Sequence, residues 1–122
     1  MAIERRELRG LLVLAVIGLA VSFGSTWWQD RRAARLGVQI AARAAAGDIR
    51  MLSSVTCVFC ARARQWMQSS GVPFSECFIE RDAQCAAQYQ ALMAPGTPVM
   101  LVRGQAQLGF DPRWINERLG GV

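Results

Sequence analysis

The stretch Cys57-Val58-Phe59-Cys60 decides the fold, because it stands between two segments of different pattern. Residues 49–55 form an apolar run typical of a buried strand, and the segment that begins Ala61-Arg62-Ala63-Arg64 favours a helix. The first turn of a helix carries unpaired N–H groups and partial positive charge, which stabilise a thiolate. We therefore expect Cys57 to be a nucleophile and Cys60 to resolve a mixed disulfide formed on it. By spacing alone, the pair also fits a structural disulfide, half of a zinc site or two inert cysteines.

The composition restricts the chemistry to cysteine. The 122 residues contain no His, which excludes Cys-His and Ser-His catalytic pairs and any metal site that needs imidazole. All 14 basic residues are Arg, and residues 1–47 carry a charge of +4 against +1 for residues 48–122. Because the excess charge flanks an apolar segment and forms no basic stripe in the folded part, we expect no nucleic-acid partner.

The apolar segment spans residues 10–29, which contain no charged residue. A bilayer core needs about 20 apolar helical residues, so the length suits one transmembrane helix. Trp27 and Trp28 stand at its end and Arg31 follows, as is typical of a membrane interface. A cleaved signal peptide is the alternative. We favour an uncleaved anchor with residues 1–9 as its tail, because the run is long for a signal core and ends in tryptophans before a basic flank.

Residues 30–47 are rich in Ala and Arg and repeat Leu36, Ile40 and Ala44 every four positions, which predicts a helical stalk. Gly47 and Asp48 mark its end, so the predicted domain covers residues 48–122.

Within residues 48–122 the pattern predicts the order β-α-β-α-β-β-α. The predicted strands are residues 49–55, 74–80, 99–102 and 106–108, and the predicted helices are residues 61–70, 83–93 and a last one capped by Asp111 with Pro112 at its first position. The short connection at residues 103–105 indicates a hairpin between the last two strands.

With a dithiol after the first strand and Thr97-Pro98 before the third, residues 49–119 resemble the glutaredoxin branch of the thioredoxin fold. They are most similar to glutaredoxin-like redoxins of the ribonucleotide reductase type, which share Cys-Val-x-Cys and an ending like Gly109-Phe110-Asp111-Pro112. The resemblance implies an α/β thioredoxin-like domain, here with an added anchor. It also implies that Cys57 attacks and Cys60 resolves, and that the Thr97–Pro98 bond is cis. The implied substrate-binding residues are Val58, Phe59, Thr97, Pro98, Gly109 and Phe110.

Two departures argue against glutathione as the electron source. Glutaredoxins that use glutathione usually have Pro-Tyr between the cysteines and a basic residue shortly before them, whereas this chain has Val58-Phe59 after a neutral segment. The acidic residue that helps to hold the glutathione amine is represented only by Asp111, displaced by one position. We therefore expect protein partners with disulfides or thiols, while glutathione stays a possible cosubstrate. The anchor also makes ribonucleotide reductase a doubtful substrate, because the redoxins most similar to this chain are soluble and cytosolic.

A second pair, Cys77 and Cys85, lies where the second strand leads into the second helix. A disulfide between them would suit an oxidising compartment. They could instead be buried core cysteines, exchange electrons with Cys57 and Cys60, or complete a four-cysteine zinc site; the zinc site is the weakest alternative, because their spacing exceeds that of usual paired ligands.

The sequence thus predicts a membrane-anchored thiol–disulfide oxidoreductase that is a monomer with neither metal nor required cofactor. We expect it in a bacterial cytoplasmic membrane, crossing once, with the domain outside the cytoplasm. Its rivals are a glutathione-dependent deglutathionylase that needs only Cys57, a domain that binds an iron–sulfur cluster or metal, and a redox-inactive tethering domain.

Overall fold

The computed structural model describes residues 4–121, and it divides the chain into two compact units, one up to Ala33 and one from Ala34. Its elements in chain order are α1 (Arg5–Arg43), β1 (Ile49–Ser53), α2 (Val58–Ser69), β2 (Ser75–Phe78), α3 (Ala83–Ala91), β3 (Val99–Val102), β4 (Gln105–Leu108) and α4 (Pro112–Arg118). Apart from the long first helix, this is the predicted order. Residues 1–3 of the predicted tail lie outside the described residues. Helix α1 begins at Arg5, within the segment predicted as a tail.

The first unit is the N-terminal part of α1. Its large apolar side chains are exposed, for example Leu14 and Phe23 at 67% and 75%. Within residues 4–121, α1 is the one helix that is long and apolar enough to cross a membrane. A signal sequence near the N-terminus can have the same length and composition. The guanidinium carbon of Arg31 lies 3.6 Å from the ring centroid of Trp27, an arrangement suited to the interface that follows a span.

The second unit is built on a four-stranded mixed sheet in the order β2-β1-β3-β4. Strand β1 runs parallel to β2 and antiparallel to β3, and β3 and β4 form the predicted hairpin. Because side chains alternate along a strand, β1 contributes to both faces of the sheet. Ile49 and Met51 pack with residues of α2 and α4, while Leu52 packs on the other face with Cys85 of α3. This is the α/β thioredoxin-like fold.

The end of α1 belongs to this second unit. Ile40 is completely buried, and a Cβ added at Gly37 would lie 2.5 Å from Ser70 Oγ. Arg43 Nη1 donates a hydrogen bond of 2.6 Å to Asn116 Oδ1. The compact unit therefore begins before residue 48, where the sequence pattern set the start of the domain, and it takes in part of the expected stalk.

Two boundaries near the dithiol differ from the predicted ones. Helix α2 begins at Val58 and not at residue 61, because Cys57 itself takes the extended N-cap conformation. Strand β1 ends at Ser53 and not at residue 55, because the following turn is held by a side chain of another segment: Ser54 Oγ and Val55 N–H both donate to the Glu80 carboxylate.

Candidate active site

The dithiol pair occupies the N-terminus of α2 as a disulfide, with Cα atoms of Cys57 and Cys60 5.2 Å apart. Cys57 is the N-cap residue, and the N–H of Cys60 donates to Cys57 Sγ over 3.0 Å. Cys57 is half-buried, whereas Cys60 is completely buried. An incoming thiolate can therefore reach Cys57, and a thiolate released there is stabilised by the N–H groups of a 12-residue helix.

The loop before β3 lies beside the dithiol. The Thr97–Pro98 peptide bond is cis, as the resemblance implies, and Thr97 O lies 3.5 Å from Cys57 Sγ. Gly109 N–H donates to Pro98 O over 2.8 Å, and Gly109 has a φ of 83°, which favours glycine. The backbone of these residues thus forms one wall next to the reactive sulfur.

An open, mostly apolar groove of about 450 Å³ runs beside the disulfide. It contains five of the six substrate-binding residues predicted from the resemblance; Val58 is exposed but does not line it. The lining residues are Phe59, Arg62, Ala63, Trp66, Gly96, Thr97, Pro98, Leu108, Gly109 and Phe110. A groove of this kind accepts an apolar side chain adjacent to a sulfur.

Two residues of the groove, Arg62 and Trp66, are not among the substrate-binding residues predicted from the sequence. Trp66 packs against Phe110, with ring centroids 5.4 Å apart, and Arg62 is the charged residue of the lining. Both follow Phe59 at helical spacing. A predicted helix that begins at Val58 would therefore have placed them on the same face as Phe59.

Comparison with known proteins agrees with this geometry. Residues 49–106, just under half of the chain, match the family model described as Glutaredoxin. These residues are similar to glutaredoxin. The chain therefore carries an enzyme of the thiol–disulfide oxidoreductase class. No curated protein sequence matches it.

Solved structures agree on the fold. A mutant of the thioredoxin-like protein BC3987 is 17% identical, with 61% of this chain and 96% of that chain covered and a TM-score of 0.54. The glutaredoxin of Methanosarcina mazei Go1 is 22% identical over 61% of this chain and 79% of its own, with a TM-score of 0.51. The glutaredoxin of Archaeoglobus fulgidus is 19% identical over 61% and 87%, with a TM-score of 0.49. The first two superpositions show a shared thioredoxin-like fold.

The turn before the dithiol carries a negative charge. Glu80 accepts hydrogen bonds from Ser54 Oγ and, over 3.2 Å, from Val55 N–H. The hydrogen bond from Ser54 is the main cause that lowers the pKa of Glu80, so its carboxylate is ionised at neutral pH. The turn that leads into Cys57 is therefore closed by an ionised carboxylate.

A second carboxylate holds the start of the same turn. Arg64 of α2 donates to Glu76 of β2 from two of its three guanidinium nitrogens, Nε to Oε1 over 2.6 Å and Nη2 to Oε2 over 2.8 Å. Ser53 Oγ also donates to Glu76 Oε2, over 2.6 Å. Burial alone would raise the pKa of Glu76, but the hydrogen bonds from Arg64 and Ser53 and the positive charge lower it. This bidentate pair fastens α2 to the sheet close to the dithiol.

Asp111 serves a helix, as its sequence position suggests. It is the N-cap residue of α4, and its Oδ1 accepts from Arg113 N–H over 2.9 Å. The remaining cysteines, Cys77 of β2 and Cys85 of α3, form a second disulfide with Cα atoms 6.0 Å apart.

Proposed function

We propose that this chain is a membrane-anchored thiol–disulfide oxidoreductase that exchanges disulfides with protein partners, with Cys57 as nucleophile and Cys60 as resolving residue. The observation that carries the proposal is the position of Cys57: an accessible sulfur at a helix N-terminus, next to an open apolar groove. The Cys-Val-x-Cys site and the C-terminal motif further support kinship with redoxins of the ribonucleotide reductase type, although with another substrate.

In the reducing direction, the Cys57 thiolate bonds to one sulfur of the partner's disulfide, and the other sulfur leaves as a thiolate. The Cys60 thiolate then bonds to Cys57 Sγ, the mixed disulfide breaks, and the partner sulfur that was bonded to Cys57 leaves as a thiolate. The partner gains two electrons and the Cys57–Cys60 pair loses them. The oxidising direction is the reverse of these steps. The helix N-terminus favours Cys57 as a leaving group in either direction.

Charge supports a protein partner over glutathione. Glutathione carries two carboxylates, and the turn before Cys57 already holds the ionised Glu80. Asp111, which could meet the glutathione amine, has one oxygen engaged in capping α4. Groove residues such as Phe59, which is 67% exposed, offer an apolar surface that a polypeptide can cover.

A comparison of substrates tests this preference. The full chain in detergent should reduce a protein disulfide that has an apolar neighbour faster than it reduces a glutathionylated peptide. Phe59→Ser should slow the protein reaction at least severalfold, while Phe23→Ser, on the apolar helix, should not. Faster turnover of the glutathionylated substrate, with activity retained in Cys60→Ser, would establish the deglutathionylase instead.

Membrane anchorage is the second part of the proposal. The length and exposed apolar surface of α1 support one span, and two disulfides suit an oxidising space, so we place the domain outside the cytoplasm of a bacterial cell. Spheroplasts that produce a Cys77→Ser/Cys85→Ser variant, after treatment with an impermeant phosphine reductant, should label at Cys57 with an impermeant maleimide. Labelling only after permeabilisation would place the domain on the inner side.

A further inference from the structure

The second disulfide has a cation beside it, Arg50, that forms no ion pair with any acidic side chain in the described part of the chain. Arg50 Nη2 lies 3.5 Å from Cys77 Sγ, and Arg50 Nε is buried and has no hydrogen-bond partner among the residues that the structure describes. The ion pairs found in residues 4–121 join Arg64 to Glu76 and Arg103 to Asp48, and neither involves Arg50. A partly buried guanidinium whose Nη2 contacts a neutral disulfide and whose Nε is unpaired is less favourable than one that is paired with an anion.

Reduction of the disulfide would supply the missing anion. A thiolate at Cys77 would lie against Arg50, and an opposite charge at this distance favours the ionised form of an acid. The oxidised state leaves the guanidinium without a counter-ion, whereas the reduced state gives it one. The environment therefore favours reduction more than the surroundings of an ordinary structural disulfide do.

We propose that Cys77–Cys85 is a second redox centre, reduced in the folded protein by dithiols that attack Cys77, with Arg50 as the counter-ion of the Cys77 thiolate. Cys77 is the accessible sulfur: it lies half-buried on the edge strand β2, whereas Cys85 is completely buried.

The electrons balance as in any dithiol reduction. One thiolate of the reductant bonds to Cys77 Sγ while the bond between the two cysteines breaks, and Cys85 leaves and takes up a proton. The second sulfur of the reductant, as a thiolate, then bonds to the reductant sulfur that is joined to Cys77. The mixed disulfide breaks, and Cys77 leaves as the thiolate beside Arg50. The reductant becomes a disulfide after giving up two electrons, and the remaining proton goes to solvent.

This centre is separate from the catalytic pair. Cys85 packs with Leu52 and Val99 on one face of the sheet, while α2, which carries Cys60, packs with Met51 on the other face. The sheet stands between the two disulfides, so the second one is expected to respond to an external dithiol and to do so without Cys57.

The test uses the full chain in detergent with Cys57→Ser and Cys60→Ser, which leaves one disulfide. The protein is equilibrated at pH 8 with mixtures of reduced and oxidised dithiothreitol, quenched with acid and alkylated. Mass spectrometry then gives the fraction of the protein in which Cys77 and Cys85 are reduced. We expect reduction without denaturant. Arg50→Gln should require an about tenfold higher ratio of reduced to oxidised dithiothreitol, since a nearby cation changes an acid's pKa by roughly 1–3 units.

Arg50→Lys should retain most of the effect, and Arg81→Gln, which removes a cation that lies over the Phe78 ring, should have none. Reduction only after unfolding in guanidinium, or equal equilibria for Arg50→Gln and Arg81→Gln, would overturn the proposal.

A measurement that keeps Arg50 decides the matter if Arg50→Gln does not fold. In the same background, Cys85→Ser leaves Cys77 as the lone thiol, and Cys77→Ser leaves Cys85. An aromatic disulfide reagent should react at least tenfold faster with the lone Cys77, and its rate should reach a plateau at a pH below the ordinary thiol pKa of about 8.5. Equal rates, or no plateau below that pH, would contradict the role of Arg50.

Discussion

Replacing Ile40 with Ala tests whether the end of α1 is part of the folded domain. Ile40 is completely buried in the same cluster as Met51 and Ile115, although the sequence pattern placed it in a stalk. The substitution removes three carbons, at about 0.8 kcal/mol each, and leaves a cavity, so we expect a loss of about 3 kcal/mol in the free energy of unfolding.

Urea unfolding of the full chain in a mild non-ionic detergent, followed by near-ultraviolet circular dichroism, measures this loss as a shift in midpoint. The matched control is Val38→Ala, because Val38 lies two residues away on the same helix and is 66% exposed. It should change the free energy by no more than about 0.5 kcal/mol. Equal, small effects of the two substitutions would refute the assignment of residues 34–43 to the domain.

Three further outcomes concern the second disulfide, the ion pair near the dithiol and the groove. Replacing both Cys77 and Cys85 with Ser should lower stability by about 2.5 kcal/mol, as the loop-closure entropy of a short loop predicts, measured by urea unfolding under oxidising conditions; an unchanged midpoint would contradict this. Because the pKa of Glu76 is lower in the folded state than its ordinary 4.5, its contribution to stability is full above that value and lost as the pH falls through the folded pKa. Glu76→Gln should therefore flatten the decline in urea midpoint below about pH 5, and parallel profiles for the two proteins would count against the ion pair. Gly109→Ala should cost about 1–2 kcal/mol because of its φ of 83°, whereas Gly96→Ala, in open space on the same groove, should cost less; equal losses would show that backbone conformation is not the cause.

Local patterns were sufficient to predict the order of strands and helices and the dithiol, whereas the thioredoxin-like fold came from the resemblance. The order of strands and helices followed from alternation, helix caps and turn residues, and the dithiol stood out because two cysteines flank a strand-to-helix junction. The cis bond at Pro98 came only from the resemblance, since no local pattern distinguishes cis from trans.

Long-range contacts could not be predicted in the same way. Arg50 meets Cys77 across 27 residues of sequence, and Glu80 meets Val55 across 25, and both contacts depend on the register of neighbouring strands. The repeat that includes Ile40 did indicate an apolar helix face. It does not indicate what covers that face, and for this reason the sequence pattern predicts a stalk there.

Trapping a reaction intermediate tests the central claim, that Cys57 attacks protein disulfides and Cys60 resolves the product. In the full chain with Cys60→Ser, incubation with a disulfide-containing protein substrate should accumulate a mixed disulfide, and mass spectrometry of its peptides should find the bond at Cys57. The unsubstituted chain should turn over without accumulation, and Cys57→Ser should do neither. Turnover retained in Cys57→Ser, or an adduct of Cys60→Ser joined through another cysteine, would contradict the mechanism.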